Sequence, residues 1–206
     1  MYALVVNNSI TRVFPGPKGF EHNGNQYSPD IFYKWSKAEK EAIGLYEVTT
    51  DSTNYKDTKW YINTNESFAF ANNTVTRSWG TATAKAHADS LYTSQDNTDG
   101  LIPDDKEVGD VKVEGLKTQL IRTIKQQAAG ILQNTDWYIV RKADAGTAVP
   151  SSITTHRAAV RTKAASMETA ITNAADTPAL ETLYTYTEQE DGSLARPLGE
   201  LPILES

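Results

Sequence analysis

The chain has 206 residues and a mass of 22.7 kDa, enough for one domain or for two small ones. Its formal charge of -6 and pI near 5.1 argue against a nucleic-acid partner, because phosphate neutralisation needs clustered Lys and Arg and the longest basic grouping is Arg157 to Lys163. The absence of cysteine excludes disulfides, thiolate catalysis and thiolate metal sites, and the short apolar run Tyr2 to Val6 is predicted to be neither a signal peptide nor a membrane span.

Residues 1–92 alternate short apolar runs with turn residues, which predicts a β-rich domain with one short helix. Tyr2 to Val6 and Ile10 to Phe14 read as a hairpin across Asn7-Asn8, stopped by Pro15-Gly16-Pro17. A helix is expected over Ser28 to Ala42, with Ser28 as N-cap, Pro29 at the first helical position, and Ile31, Trp35, Ala38 and Ala42 along one stripe. Gly44 ends it. Leu45 to Thr49, Lys59 to Asn63, Ser67 to Ala71 and Thr74 to Thr81 read as further strands, with turns at Asn63 to Glu66 and at Asn72-Asn73. Ala82 to Tyr92 is compatible with a helix.

Residues 93–110 are acidic and nearly free of core residues, so the domain boundary is expected there, as a linker. From Val111 the apolar period becomes helical. Leu116, Leu120, Ile121, Ile124, Ala128, Ile131 and Leu132 share one face, and a second helix from Ser151 is expected to bury Ile153, Val160, Ala164, Met167 and Ile171 while Arg157, Arg161 and Lys163 face water. Two such helices joined by a loop make a helical hairpin over residues 111–186. It includes a last short helix with Thr177 as N-cap and Pro178 next, and a polar tail follows at 187–206. The expected fold class is α+β.

Little in the chain points to catalysis. His22, His87 and His156 are the only histidines, and each reads best as a solvated side chain. Asp104, Asp105, Glu107 and Asp110 cluster hard oxygens without calcium-loop spacing, so a solvated acidic run is the expectation. Neither a phosphate-binding nor a dinucleotide-binding glycine motif occurs. No catalytic residue, cofactor or metal is therefore expected. The densest constellation is Thr135-Asp136-Trp137-Tyr138-Ile139-Val140-Arg141, directly after the first long helix. There Thr135 or Asp136 can cap a turn, Trp137 is expected to be the structural anchor beside Ile131 and Leu132, and Tyr138 and Arg141 are the candidate partner-binding residues.

The segment Leu116 to Arg161 resembles the C-terminal domain of phage tail-fibre assembly and tail-accessory proteins. The resemblance rests on L-x3-L-I-x2-I from Leu116, T-D-W-Y at Thr135 to Tyr138, Val149-Pro150, and H-R-x3-R at His156 to Arg161. In that family a Y-R-x2-L-R-like pattern is common, so His156 stands at an aromatic position and Val160 at that of a larger aliphatic. The front half is similar too, with Y-x-x-V at Tyr2, G-x-Y-x-V at Gly44 to Val48 and W-x4-A at Trp79 to Ala84. The chain as a whole, through R-P-L-G-E-L-P at Arg196 to Pro202, is similar to proteins of marine tailed phages. The resemblance implies a non-enzymatic tail protein of a tailed bacteriophage, acting as an assembly chaperone in the host cytoplasm or retained in the virion tail as an adaptor. Its implied partners are tail-fibre or baseplate proteins and further copies of itself, with neither nucleic acid nor membrane among them. A phage enzyme sharing only the helical hairpin is the remaining reading.

Overall fold

The computed structural model, which describes residues 1–204, is α+β: strands dominate a first unit, Met1–Thr83, and helices dominate a second that begins at Ala84. In the first unit the strand β1 (Tyr2–Val6) turns through Asn7 and Asn8, both at positive φ, into β2 (Ser9–Phe14). Asparagine tolerates the left-handed region at little cost, and a turn with both central residues there matches the twist of the strands it joins. The hairpin β3 (Phe20–His22) and β4 (Asn25–Tyr27), closed by Asn23-Gly24, was not expected from the sequence. The expected helix over 28–42 is two short helices, α1 (Ile31–Lys34) and α2 (Lys37–Ala42). The break has a local cause. Ser36 and Glu39 form a reciprocal capping box, in which the Ser36 hydroxyl accepts from the Glu39 amide and the Ser36 amide donates to the Glu39 carboxylate, so the helix restarts there.

Strands β5 (Leu45–Thr50), β6 (Tyr61–Ile62), β7 (Ser67–Ala71) and β8 (Thr74–Ser78) follow. Five strands make the main sheet in the order β2-β1-β5-β8-β7, with β5 antiparallel to β1 and parallel to β8. Strand alternation sorts its side chains into two clusters. Leu4 and Leu45 lie on one face with Phe14, Phe20, Ile31 and Phe32, while Ala3, Val5 and Val75 lie on the other with Tyr46, Val48, Phe68 and Phe70 packed around them. Burial on both faces explains the uninterrupted run Ala3-Leu4-Val5. Gly44 enters β5 at φ +80, and a Cβ there would collide with the Val5 carbonyl, held close because the Val5 amide donates to the Gly44 carbonyl. Only glycine meets both demands.

The two-residue strand β9 (Thr83–Ala84) leads into the second unit. The expected boundary at 93–110 is corrected here, since the division falls at residue 83 and the acidic stretch is folded within the second unit. Strand β10 (Ser90–Leu91) pairs with β11 (Val111–Val113), and the amides of Tyr92 and Gly109 bond across the base of the excursion between them. Inside it, Thr93 and Asp96 build a capping box for the helix α3 (Ser94–Thr98). Asp96 also pairs with Lys112, and that ammonium, aided by the Thr93 hydroxyl and amide, holds its carboxyl down at about 2. Ala82 to Tyr92 is not helical because its backbone is used elsewhere: the Ala86 and His87 carbonyls accept from Leu116 and Lys117, and the Asp89 carboxylate accepts from the Gly115 amide at 2.6 Å and the Thr118 hydroxyl at 2.8 Å. Residues 86–89 thereby cap the start of α4 (Leu116–Gln133).

Helix α4 is followed by α5 (Asp136–Ala145), α6 (Ser151–Asn173) and α7 (Thr177–Tyr184). The pair α4 and α6 form the expected antiparallel hairpin. Leu116, Leu120, Ile124 and Ala128 meet Ile153, Val160, Ala164, Met167 and Ile171, at the three- and four-residue spacing that keeps a helix face continuous. Lys125 reaches Glu168 at 3.5 Å across them, and the Lys117 ammonium donates to the Thr172 carbonyl. Arg157 and His156, expected in water, are buried at 7% and 8% exposure because the same spacing, four after Ile153 and three before Val160, carries the stripe through them. Asp176, not Thr177, caps α7, while the buried Thr177 hydroxyl donates to the Lys85 carbonyl. The polar tail is also ordered over its described part: β12 (Thr187–Glu188) pairs with β13 (Leu194–Ala195), and Leu198 is buried with its amide on the Leu183 carbonyl. Residues 205 and 206 of that tail lie outside the described residues.

Candidate functional site

The site is built at the joint between α4 and α5. Two residues, Asn134 and Thr135, link the helices, and Thr135 is almost fully buried. Its hydroxyl does not cap α5. It donates to the Leu132 carbonyl at 2.9 Å and accepts from Nη1 of Arg157 at 2.7 Å. The same Nη1 donates to the Leu132 carbonyl at 2.7 Å, and Nη2 pairs with the Asp136 carboxylate at 2.8 Å. One guanidinium thus ties the Leu132 carbonyl near the end of α4 and the first residue of α5 to α6, with the planar fork geometry that lysine lacks. Burial of its charge is compensated by a carboxylate and two neutral oxygens.

Beyond this clamp α5 buries no residue. Trp137 is 51% exposed, Ile139 44% and Val140 66%. The expected role of Trp137 as anchor of the hairpin is therefore corrected. It follows the bend, so its ring leaves the α4–α6 seam and lies against Tyr138, with ring centroids 3.7 Å apart. The Arg141 guanidinium sits 4.7 Å from the Trp137 ring and 5.3 Å from the Tyr138 ring, an arrangement that favours a cation over an aromatic face. The structure so brings together the three residues singled out in the sequence. Arg141 forms no ion pair among the described residues, and its Nε is shielded from solvent without an acceptor. Gly146 ends the helix in the left-handed conformation. Sequence reasoning missed Arg157 as part of this site and gave Thr135 the role of a cap instead of a buried partner of Arg157. The signal was the spacing of Arg157 within the apolar stripe, outweighed in the reading by its charge.

Two depressions lie in the first unit. A depression of about 400 Å³ beside Arg12 to Lys18 has a rim of Val13, Phe14 and two prolines, without an acid–base pair. Another, of about 300 Å³, is lined by His22 together with Asn7, Asn23 and Asn25. Among the described residues no three His, Asp or Glu side chains converge in a way that could hold a metal ion, the Asp104 to Asp110 run included, and no helix is long and apolar enough to cross a membrane. The chain matches no family model, and no curated protein and no solved structure is significantly similar to it.

Proposed function

We propose that the protein is a non-enzymatic tail protein of a tailed bacteriophage that acts in tail-fibre or baseplate assembly and attachment by binding other tail proteins through α5. The observation that carries this reading is a ten-residue helix that holds Trp137, Tyr138, Ile139 and Val140 yet buries none of its residues. An aromatic and aliphatic surface of this kind with an adjoining arginine has the composition of a protein-binding hot spot. The resemblance of Leu116 to Arg161 to tail-assembly proteins supplies the class of partner. Arg141, already flanked by two rings, suits a partner that brings a carboxylate to it.

The test is capture of the phage's fibre and baseplate proteins, each expressed separately, on the purified chain and on Trp137→Ala, Tyr138→Ala and Arg141→Ala. One of these proteins is expected to bind, and each variant to weaken it by about 1–2 kcal/mol or more while remaining folded. If none binds, or if all three variants bind like the parent, the reading is wrong. Mass spectrometry of purified virions divides its two forms: stoichiometric recovery marks an adaptor retained in the tail, and absence marks an assembly chaperone.

A further inference from the structure

We propose that α5 is an arm hinged at Asn134-Thr135 and that Arg157 is the positioning residue that fixes the orientation in which it presents Trp137, Tyr138 and Arg141; this rests on the reading of α5 as the binding face. A helix without a buried residue gains little from hydrophobic docking, so its orientation must come from its ends. The C-terminal end gives none, since Gly146 sits at φ +68 and residues 147–150 run on without regular structure. At the N-terminal end the bonds that tie the joint to α6 converge on one side chain. Arg157 holds the Leu132 carbonyl, the Thr135 hydroxyl and the Asp136 carboxylate, and only the last of these belongs to α5.

That division makes the inference testable without dismantling the hairpin. The Asp136 side chain is 54% exposed, so Asp136→Asn removes the charge that ties α5 while Arg157 keeps its bonds to Leu132 and Thr135. Arg157→Lys keeps the charge and loses the fork. Amide hydrogen exchange on the full chain reads both. Exchange over residues 139–145 is expected to accelerate about tenfold or more in each variant, with residues 155–171 of α6 unchanged in Asp136→Asn, because local opening is governed by the contacts that hold that segment alone. Equal acceleration of α5 and α6 in Asp136→Asn would make Arg157 a component of the hairpin core, and no acceleration of α5 in either variant would remove the clamp; either result overturns the proposal.

Exchange needs no partner, so it stands apart from the binding assay. The fibre or baseplate protein captured by the parent is expected to bind Asp136→Asn about tenfold more weakly, since loosening a preorganised surface lowers apparent affinity. Faster exchange with unchanged capture would uphold the clamp and overturn α5 as the binding face.

Discussion

Helices α5 and α6 carry the same number of large apolar side chains and use them in opposite ways. Ile153, Val160, Met167 and Ile171 are spread over the 23 residues of α6 and all are buried; Trp137, Tyr138, Ile139 and Val140 stand in a row in the ten residues of α5 and none is. With about 3.6 residues per turn, four consecutive residues go round the whole helix, so no single neighbour can cover them. Intervals of seven and four return to the same face. Spacing, more than apolar content, decides which helix becomes core and which offers a surface.

The comparison would break most visibly in the core. Met167→Ala, at a site 1% exposed, is expected to cost about 2–5 kcal/mol in thermal or denaturant unfolding, whereas Val140→Ala should stay within about 0.5 kcal/mol. Comparable losses for the two would mean that α5 is covered after all. Gly115→Ala comes next. Its Cβ would fall on the Ala88 carbonyl where residues 86–89 cap α4, and a loss of about 1–3 kcal/mol is expected, read as a lowered melting temperature.

Trp137→Ala sharpens the contrast, because a large aromatic that anchored a core would cost about 3–5 kcal/mol to truncate. Half-exposed on α5, it is expected to lower stability by less than about 1 kcal/mol while abolishing most partner capture. The smallest effect is local and depends on pH. Asp96 has its carboxyl held at about 2, below the ordinary 3.8, so its contribution to the 93–112 excursion is present above pH 4 or so and is lost as pH falls from there through about 2. Pepsin cleavage within residues 97–110 should therefore rise relative to cleavage in α6 as the pH is lowered through that window. Asp96→Asn should flatten the dependence; an equal dependence in both chains would show that another group controls the loop.

Local signals in the sequence determined the α+β class, the turns at Asn7-Asn8 and Asn72-Asn73, the strands Tyr2–Val6 and Ser67–Ala71, and the facing stripes of α4 and α6. Each depends on a period of two, on a period of three to four, or on asparagine's tolerance of positive φ, all of which operate within a few residues. The candidate site was legible as the cluster Trp137, Tyr138 and Arg141, but the exposure of Trp137 was not. Tertiary structure decided the rest through partners far along the chain: Lys112 for Asp96, Asp89 for Gly115, and Leu132 and Thr135 for Arg157. Those contacts order an acidic stretch that composition marks as a linker, draw a charged side chain into an apolar stripe by satisfying its donors, and bend the chain at Thr135. The bend takes Trp137 away from the core that its size alone would assign to it, since burial depends on which neighbours arrive and not on the residue itself.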